Sequence, residues 1–285
     1  MSLLVFGRNG QVATALARLA PDACFIGRKE FDLSAPGPDG AALYDWVMAR
    51  VPSAIINAAA YTAVDRAEAE EPLATTINAA APGAMAEACA TLGIPFLTIS
   101  TDYVFDGSGS TPWAPDAPTG PLNAYGRSKL AGERAVQAAG GTTAILRTSW
   151  VFSSEGANFL KTMLRLSQTR DALSIVDDQI GGPTPAEAVA CAALTVTQAM
   201  TGGHPGGIWH IAGAPYASWA EFAAWVFTCA GRQVAITPIA SADYPTPAPR
   251  PLNSRLDCTT LARDFTLRPP DWKAQAHADV KGLLT

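Results

Sequence analysis

At 285 residues, with 48% hydrophobic and 16% charged side chains, the chain can bury a large core and is neither disordered nor fibrous. A net charge of −5 without a dense Lys/Arg block argues against nucleic acid as the main partner, and no apolar run is long enough to span a bilayer. The five cysteines (Cys24, Cys89, Cys191, Cys229, Cys258) lie scattered in apolar runs without C-x-x-C spacing and read as buried thiols; with no signal segment in the sequence, a reducing cytoplasm is the expected location.

Ser2 to Phe6 is a short apolar run stopped by glycine, and Gln11 to Ala20 carries Val12, Leu16 and Leu19 at helical spacing, so strand, turn and helix follow in that order. The turn Gly7-Arg8-Asn9-Gly10-Gln11-Val12-Ala13 has the spacing G-x-x-G-x-x-A. Glycines there let the backbone approach a pyrophosphate held at the helix N-terminus, where free N–H groups and the dipole favour anions, and Ala13 permits close packing of helix on strand. A glycine pair also fits an ordinary turn; its place between strand and helix favours a dinucleotide site. Cys24 to Ile26 is the second apolar run, followed by Gly27, Arg28 and Lys29. Each of Arg8, Arg28 and Lys29 alone also reads as a solvated surface cation. Their joint position favours NADPH, because Arg here accommodates the 2′-phosphate of NADP. Asp32 and Leu33 fall along the adenine edge.

Tyr44 to Val51 reads as a helix and Ala54 to Asn57 as the third strand, running into Ala58, Ala59, Ala60 and Tyr61, where small residues leave room for a cofactor. Val64 to Glu71 and Pro72 to Leu92 read as helices; Asn78 stands on an otherwise apolar face, either toward the cofactor or paired within the core. Pro95 to Ser100 forms the fourth strand and leads into Thr101-Asp102-Tyr103-Val104-Phe105-Asp106-Gly107. After a proline-rich loop, a helix starts near Asn123. Tyr125 and Lys129, four apart, share one face of it, so the ammonium favours phenolate and eases proton movement through the phenol. Thr101, at a strand end, adds a hydroxyl to the same oxygen. This is a proton-transfer site for carbonyl or alcohol chemistry. Tyr-x-x-x-Lys also arises by chance, and the glycine turn is the independent second signal.

Ala144 to Arg147 makes a fifth strand that ends in Thr148-Ser149-Trp150-Val151-Phe152. The alternation implies an α/β fold with a doubly wound parallel sheet and a binding crevice at the carboxyl ends of its strands. Beyond Phe152 the alternation weakens. Helices are expected at Asn158 to Thr169, Ala186 to Met200 and Ser218 to Ala230, with Ser218 as N-cap, and strands at Leu173 to Val176 and Ile208 to Ile211. Residues 1–152 are expected to form the nucleotide-binding domain and residues 153–285 mainly a smaller C-terminal substrate-binding lobe, partly interleaved with the sheet. The three histidines are dispersed, and no metal site is expected.

Taken together these residues resemble the extended short-chain dehydrogenase/reductase superfamily, and within it the dTDP-4-dehydrorhamnose reductase family. Ser100-Thr101-Asp102-Tyr103-Val104-Phe105-Asp106-Gly107 and Arg250-Pro251-Leu252-Asn253-Ser254-Arg255-Leu256 are its most specific strings, and nearly the whole chain takes part. The resemblance implies a Rossmann fold and NAD(P)H-dependent reduction of the C4 ketone of dTDP-4-dehydro-β-L-rhamnose, for lipopolysaccharide or cell-wall polysaccharide. It implies Tyr125 as the acid, Lys129 as the group that bonds the nicotinamide ribose and lowers the Tyr pKa, and Thr101 as a partner of the substrate oxygen. It also places Asp102, Tyr103, Val104, Phe105, Trp150, Arg250, Asn253 and Arg255 on the substrate. NADPH is the expected cofactor, with NADH usable, and a nucleotide sugar the expected partner. Ala15 stands where some members carry a Glu used with magnesium at a dimer interface, so a monomer or a dimer without a metal bridge is expected, even with Glu187 at the place of another ligand. Two alternatives stay open: reduction of another nucleotide-linked 4-keto-6-deoxy sugar, and a regulatory binding role like that of the methionine adenosyltransferase subunit, against which the intact Thr101, Tyr125 and Lys129 speak.

Overall fold

Side chains of a strand alternate between faces, and here both sets are apolar: Leu4 and Phe6 oppose Val5, Ile55 opposes Ile56, Phe96 opposes Leu97, and Ile145 opposes Ala144 and Leu146. Such strands need cover on both sides, which a parallel sheet with crossover helices provides. The computed structural model describes residues 2–35, 37 and 40–284. It has a six-stranded parallel sheet in the order Gly206–Ile211, Thr143–Thr148, Phe96–Thr101, Ala54–Asn57, Leu3–Phe6, Cys24–Ile26. Helices Gln11–Leu19 and Ala186–Thr201 cover one face, and Ala41–Met48, Ala81–Leu92 and Ala124–Ala138 the other. The strand order reverses beside Leu3–Phe6, which opens a crevice at that strand's carboxyl end.

A third core lies outside the sheet. Helices Phe159–Leu166, Trp219–Ala230 and Trp272–Leu284 bury Leu160, Met163, Phe222, Val226 and Trp272 beside a parallel pair of strands, Ala172–Val176 with Ala235–Ile239. Ser218 caps its helix as expected, in a full capping box with Glu221.

Three local expectations need correction. Cys24 and Cys191 are exposed, because each sits where its element meets solvent, while Cys89, Cys229 and Cys258 are buried. The stretch read as one helix from Pro72 to Leu92 is Glu71–Thr75, a π-helical turn Thr76–Ala80, and Ala81–Leu92. Pro82 has no N–H for the Asn78 carbonyl four residues back, so the regular ladder cannot continue there. The helix expected at Tyr44 to Val51 runs Ala41–Met48, and Val51 takes a left-handed φ of 43° after it.

Candidate active site

The glycine turn lies at the crevice. Gly7 has φ 115°, a conformation that L side chains rarely adopt, and a Cβ there would press on the Ala58 carbonyl carbon at 3.2 Å. Helix Gln11–Leu19 starts at Gly10 without a side-chain cap and without an acid in its first turn, which leaves its N–H groups for an anion. A cleft of about 340 Å³ runs past Gly7, Arg8, Asn9, Arg28, Asp32, Leu33, Ala59, Ala60 and Tyr61. These features fit the phosphates and adenosine of a dinucleotide. Arg28 is exposed and stands 3.9 Å from Asp32, while Arg8 pairs with Glu30 at 2.9 Å. Ala58 follows the neighbouring strand and bonds Phe6 through its N–H. Val12 is half-buried against the sheet, and Gln11 spends its side chain on the loop ahead: Oε1 accepts from Ser153 and Asn158, and Nε2 donates to the Val151 carbonyl.

Asn78 is 2% exposed, and its amide is engaged inside the protein. Oδ1 accepts from the Tyr61 N–H at 2.9 Å, and Nδ2 donates to the Tyr61 carbonyl and to Ser128 Oγ. It therefore ties the cleft wall to the helix that carries Tyr125 and Lys129. That helix, Ala124–Ala138, is fixed at its start: Asn123 caps the Gly126 N–H at 2.8 Å, Glu68 accepts from the Ala124 N–H, and Arg127 holds Glu71 with two bonds.

Thr101 closes strand Phe96–Thr101; its hydroxyl donates to Asp102 Oδ1 at 3.0 Å and accepts from the Tyr103 N–H. Tyr125 is half-buried, edge-on to Tyr103 with ring centroids 5.4 Å apart. Lys129 is buried, and its Nζ donates to the Ile99 carbonyl at 2.6 Å. Desolvation pushes the Lys129 amine down to about 8, with Glu133 opposing. The phenol moves the other way from the sequence expectation: desolvation raises its pKa, a bond with Thr101 opposes, and the Asp102 charge adds to the rise. Burial outweighs the neighbouring hydroxyl, and the ammonium is directed at a backbone carbonyl.

Beneath the site lies a buried network that the sequence reading missed. Glu133 and Arg147 form a two-bond ion pair, 2.9 and 2.6 Å, with both side chains 3% exposed. Ser100 also donates to Glu133, and Arg147 donates to the Pro115 carbonyl and sits over the Phe105 ring. His210 Nδ1 donates to the Trp113 carbonyl; burial, then the Arg147 charge, lowers its pKa to about 3, so it stays neutral. The signal available was Glu133 one turn beyond Lys129, but its partner is fourteen residues away on the next strand.

The two specific strings meet. Gly107, at φ 71°, packs so tightly on Pro251 that a Cβ would come within 2.5 Å of its Cα. Asn253 is 1% exposed; it donates to the Ser108 and Thr111 carbonyls and accepts from Arg255, whose guanidinium is 3.0 Å away. Val104 and Phe105 are fully buried, Phe105 stacked on Trp113. Arg250 pairs with Asp65 at 2.9 Å near the Tyr103 phenol, whose pKa is raised by desolvation. Trp150 takes a left-handed φ of 49° and stacks on Trp219 at 3.6 Å, with no room for a Cβ at Gly181 beneath it. Thr101, Asp102, Tyr103 and Tyr125 thus come together at one strand end. Asn253, Val104 and Phe105 lie behind that surface.

Ala15 is fully buried between the sheet and helix Ala186–Thr201, so that position faces the core and offers no oxygen. Glu187 is exposed, and with Arg18 it acts on Asp279. Among the described residues there is no group of three or more His, Cys, Asp or Glu placed to hold a metal, and no helix is long and apolar enough to cross a membrane.

A family model described as "RmlD substrate binding domain" matches residues 1–284. The dTDP-4-dehydrorhamnose reductase of Sinorhizobium fredii is 45% identical over 294 aligned positions, covering 100% of this chain and 98% of that protein. A crystal structure of a dTDP-4-dehydrorhamnose reductase from Clostridium acetobutylicum superposes with a TM-score of 0.92 at 32% identity, covering 100% of both chains. One from Bacillus anthracis, in complex with NADP, gives a TM-score of 0.90 at 32% identity over 99% of this chain and 100% of that one. The glycine cleft, the Thr101–Tyr125–Lys129 grouping and the full-length likeness agree: the chain belongs to the dTDP-4-dehydrorhamnose reductase family.

Proposed function

We propose that this protein reduces the C4 ketone of dTDP-4-dehydro-β-L-rhamnose with NADPH, giving dTDP-L-rhamnose. The carrying observation is the convergence of Thr101, Tyr125 and buried Lys129 at a strand end beside a nucleotide cleft, in a chain of this family. When bound, NADPH supplies the hydride. Gly7, Asn9 and the first turn after Gly10 hold its pyrophosphate, Arg28 with Arg8 its 2′-phosphate, and Asp32, Leu33 and Ala59 to Tyr61 its adenosine side. Tyr125 donates a proton to the ketone oxygen; desolvation keeps the phenol protonated until that oxygen becomes basic. Lys129, one turn on, offsets the charge left on the phenolate. Asp102, Tyr103, Trp150, Arg250 and Arg255 supply the sugar and diphosphate contacts. Asn78 and Asn253 act through the backbone they hold, as Val104 and Phe105 do through packing. Residues 153–285 mainly provide the substrate-side lobe, apart from Ala186–Thr201 and Gly206–Ile211, which belong to the nucleotide-binding sheet and its cover, and the reaction takes place in the cytoplasm.

Oxidation of NADPH on addition of dTDP-4-dehydrorhamnose tests the reading; no oxidation with that sugar, or equal rates with other 4-keto sugars, overturns it. Arg28→Ala is expected to lower kcat/KM for NADPH by about tenfold, the scale of a lost charge-assisted bond, and to leave NADH nearly untouched. Equal losses for the two cofactors would remove Arg28 from the 2′-phosphate site. Because Ala15 supplies no ligand, the protein is a monomer or a dimer joined without metal. EDTA should change neither sedimentation nor activity; a dimer that dissociates on chelation would refute this.

A further inference from the structure

Ser100 and Arg147 are register partners in adjacent strands, so both side chains leave the sheet on one face, where Glu133 of helix Ala124–Ala138 meets them. Glu133 Oε1 accepts from the Ser100 hydroxyl and from Arg147 Nε, and Oε2 accepts from Arg147 Nη2. The guanidinium also lies over the Phe105 ring, its carbon 5.1 Å from the centroid, and Nη1 donates to the Pro115 carbonyl. Ser100 directly precedes Thr101, and Phe105 follows Val104. One ion pair therefore grips both ends of the segment that carries Thr101, Asp102 and Tyr103. The same helix touches that segment at two further points. Lys129 Nζ bonds the Ile99 carbonyl, and Gly126 lies so close to Tyr103 that a Cβ would overlap its carbonyl oxygen. Burying two charges carries a desolvation cost that apolar side chains of similar volume avoid, so stability alone does not account for the pair. What the ions add is direction, because paired guanidinium and carboxylate bonds fix geometry as well as contact.

We propose that Ser100 and Glu133, anchored by Arg147, are positioning residues that set the Thr101 strand end against the helix of Tyr125 and Lys129; the proposal rests on the reductase reading above. Ser100 is 4% exposed, Glu133 2% and Arg147 3%, so they act through Thr101 and not on the sugar. The line of contact is short: Glu133 stands one turn beyond Lys129 on the helix, bonds Ser100, and Ser100 is joined to Thr101 by one peptide bond. Without the Ser100 bond the strand end keeps its sheet partners but loses its side-chain tie to the Glu133–Arg147 pair. Thr101 then drifts relative to Tyr125, and the groups that receive the ketone oxygen no longer converge on one point.

The test is steady-state NADPH oxidation with dTDP-4-dehydrorhamnose by Ser100→Ala, which deletes one hydroxyl and leaves the Glu133–Arg147 bonds in place. Ser100→Thr is the conservative variant, since it keeps a hydroxyl on a residue suited to a strand. Ser100→Ala is expected to lower kcat by about tenfold or more, because misplacing a reacting group by about an ångström costs on the order of a hundredfold. Both KM values should stay within about twofold of wild type, the thermal midpoint within about 4 °C, and Ser100→Thr should recover most of the rate. Unchanged kcat in Ser100→Ala, or a raised KM for the sugar with kcat kept, would overturn the proposal. Loss of folded protein in proportion to the loss of rate would overturn it too, and make the bond one of stability alone. If wild type oxidises no NADPH with the sugar, the reductase reading itself fails. Wild type and Ser100→Ala equally active would leave that reading standing and remove only the positioning role.

Discussion

Tyr125→Phe is expected to lower kcat by at least about two orders of magnitude, the usual scale for loss of a general acid, while NADPH still binds. The substitution keeps the ring that stands edge-on to Tyr103 and deletes only the hydroxyl beside Thr101. In the proposed reaction that hydroxyl acts in the transition state, when the ketone oxygen takes up charge, so its loss should leave ground-state affinity largely intact. NADPH absorbance gives the rate and fluorescence titration the affinity. Near-normal turnover in the variant would remove Tyr125 from the chemistry.

Gly132→Ala is expected to destabilise the fold by about 2 kcal/mol or more, the upper part of the range for overpacking. Gly132 lies on the buried side of helix Ala124–Ala138, and a methyl there would overlap the Asn78 carbonyl oxygen in the π turn, a backbone atom with no rotamer to change. Relief requires the helix to move from that turn, which loosens the Asn78 bonds to Ser128 and Tyr61. Activity in the folded fraction should fall as well. Gly10→Ala is the control for stability, since its φ is −76° and a Cβ would meet nothing within 4 Å. Equal denaturation midpoints for the two variants would show that the close helix contact is not needed.

Much of this was legible in the sequence because it depends on local pattern. Short apolar runs locate all six strands of the parallel sheet to within two residues, and G-x-x-G between strand and helix locates the cleft. What escaped depends on contacts between distant segments. Strand Ala235–Ile239 contains Pro238 and is exposed along much of its length, and only pairing with Ala172–Val176 makes it a strand. The Glu133–Arg147 pair joins a helix to the following strand, and neither residue stands out alone. For Asn78 the sequence leaves the cofactor and the core both open, and for Asn253 the family resemblance suggests the substrate; only the folded chain shows the protein partners of each, backbone groups with Ser128 for Asn78 and with Arg255 for Asn253. The Tyr125 pKa is likewise set by the fold: helical spacing shows the neighbouring lysine, not the desolvation that raises the phenol.

In the proposed reaction a hydride reaches the C4 carbon of a nucleotide-linked 4-keto sugar while Tyr125 protonates its oxygen. The most direct measurement is to supply NADPH dideuterated at nicotinamide C4, together with dTDP-4-dehydrorhamnose, and to locate the deuterium by NMR. The expected result is one deuterium on sugar C4 for each NADP formed, in dTDP-L-rhamnose as the product. NADPH left unconsumed, or consumed with no deuterium on the sugar, would contradict it.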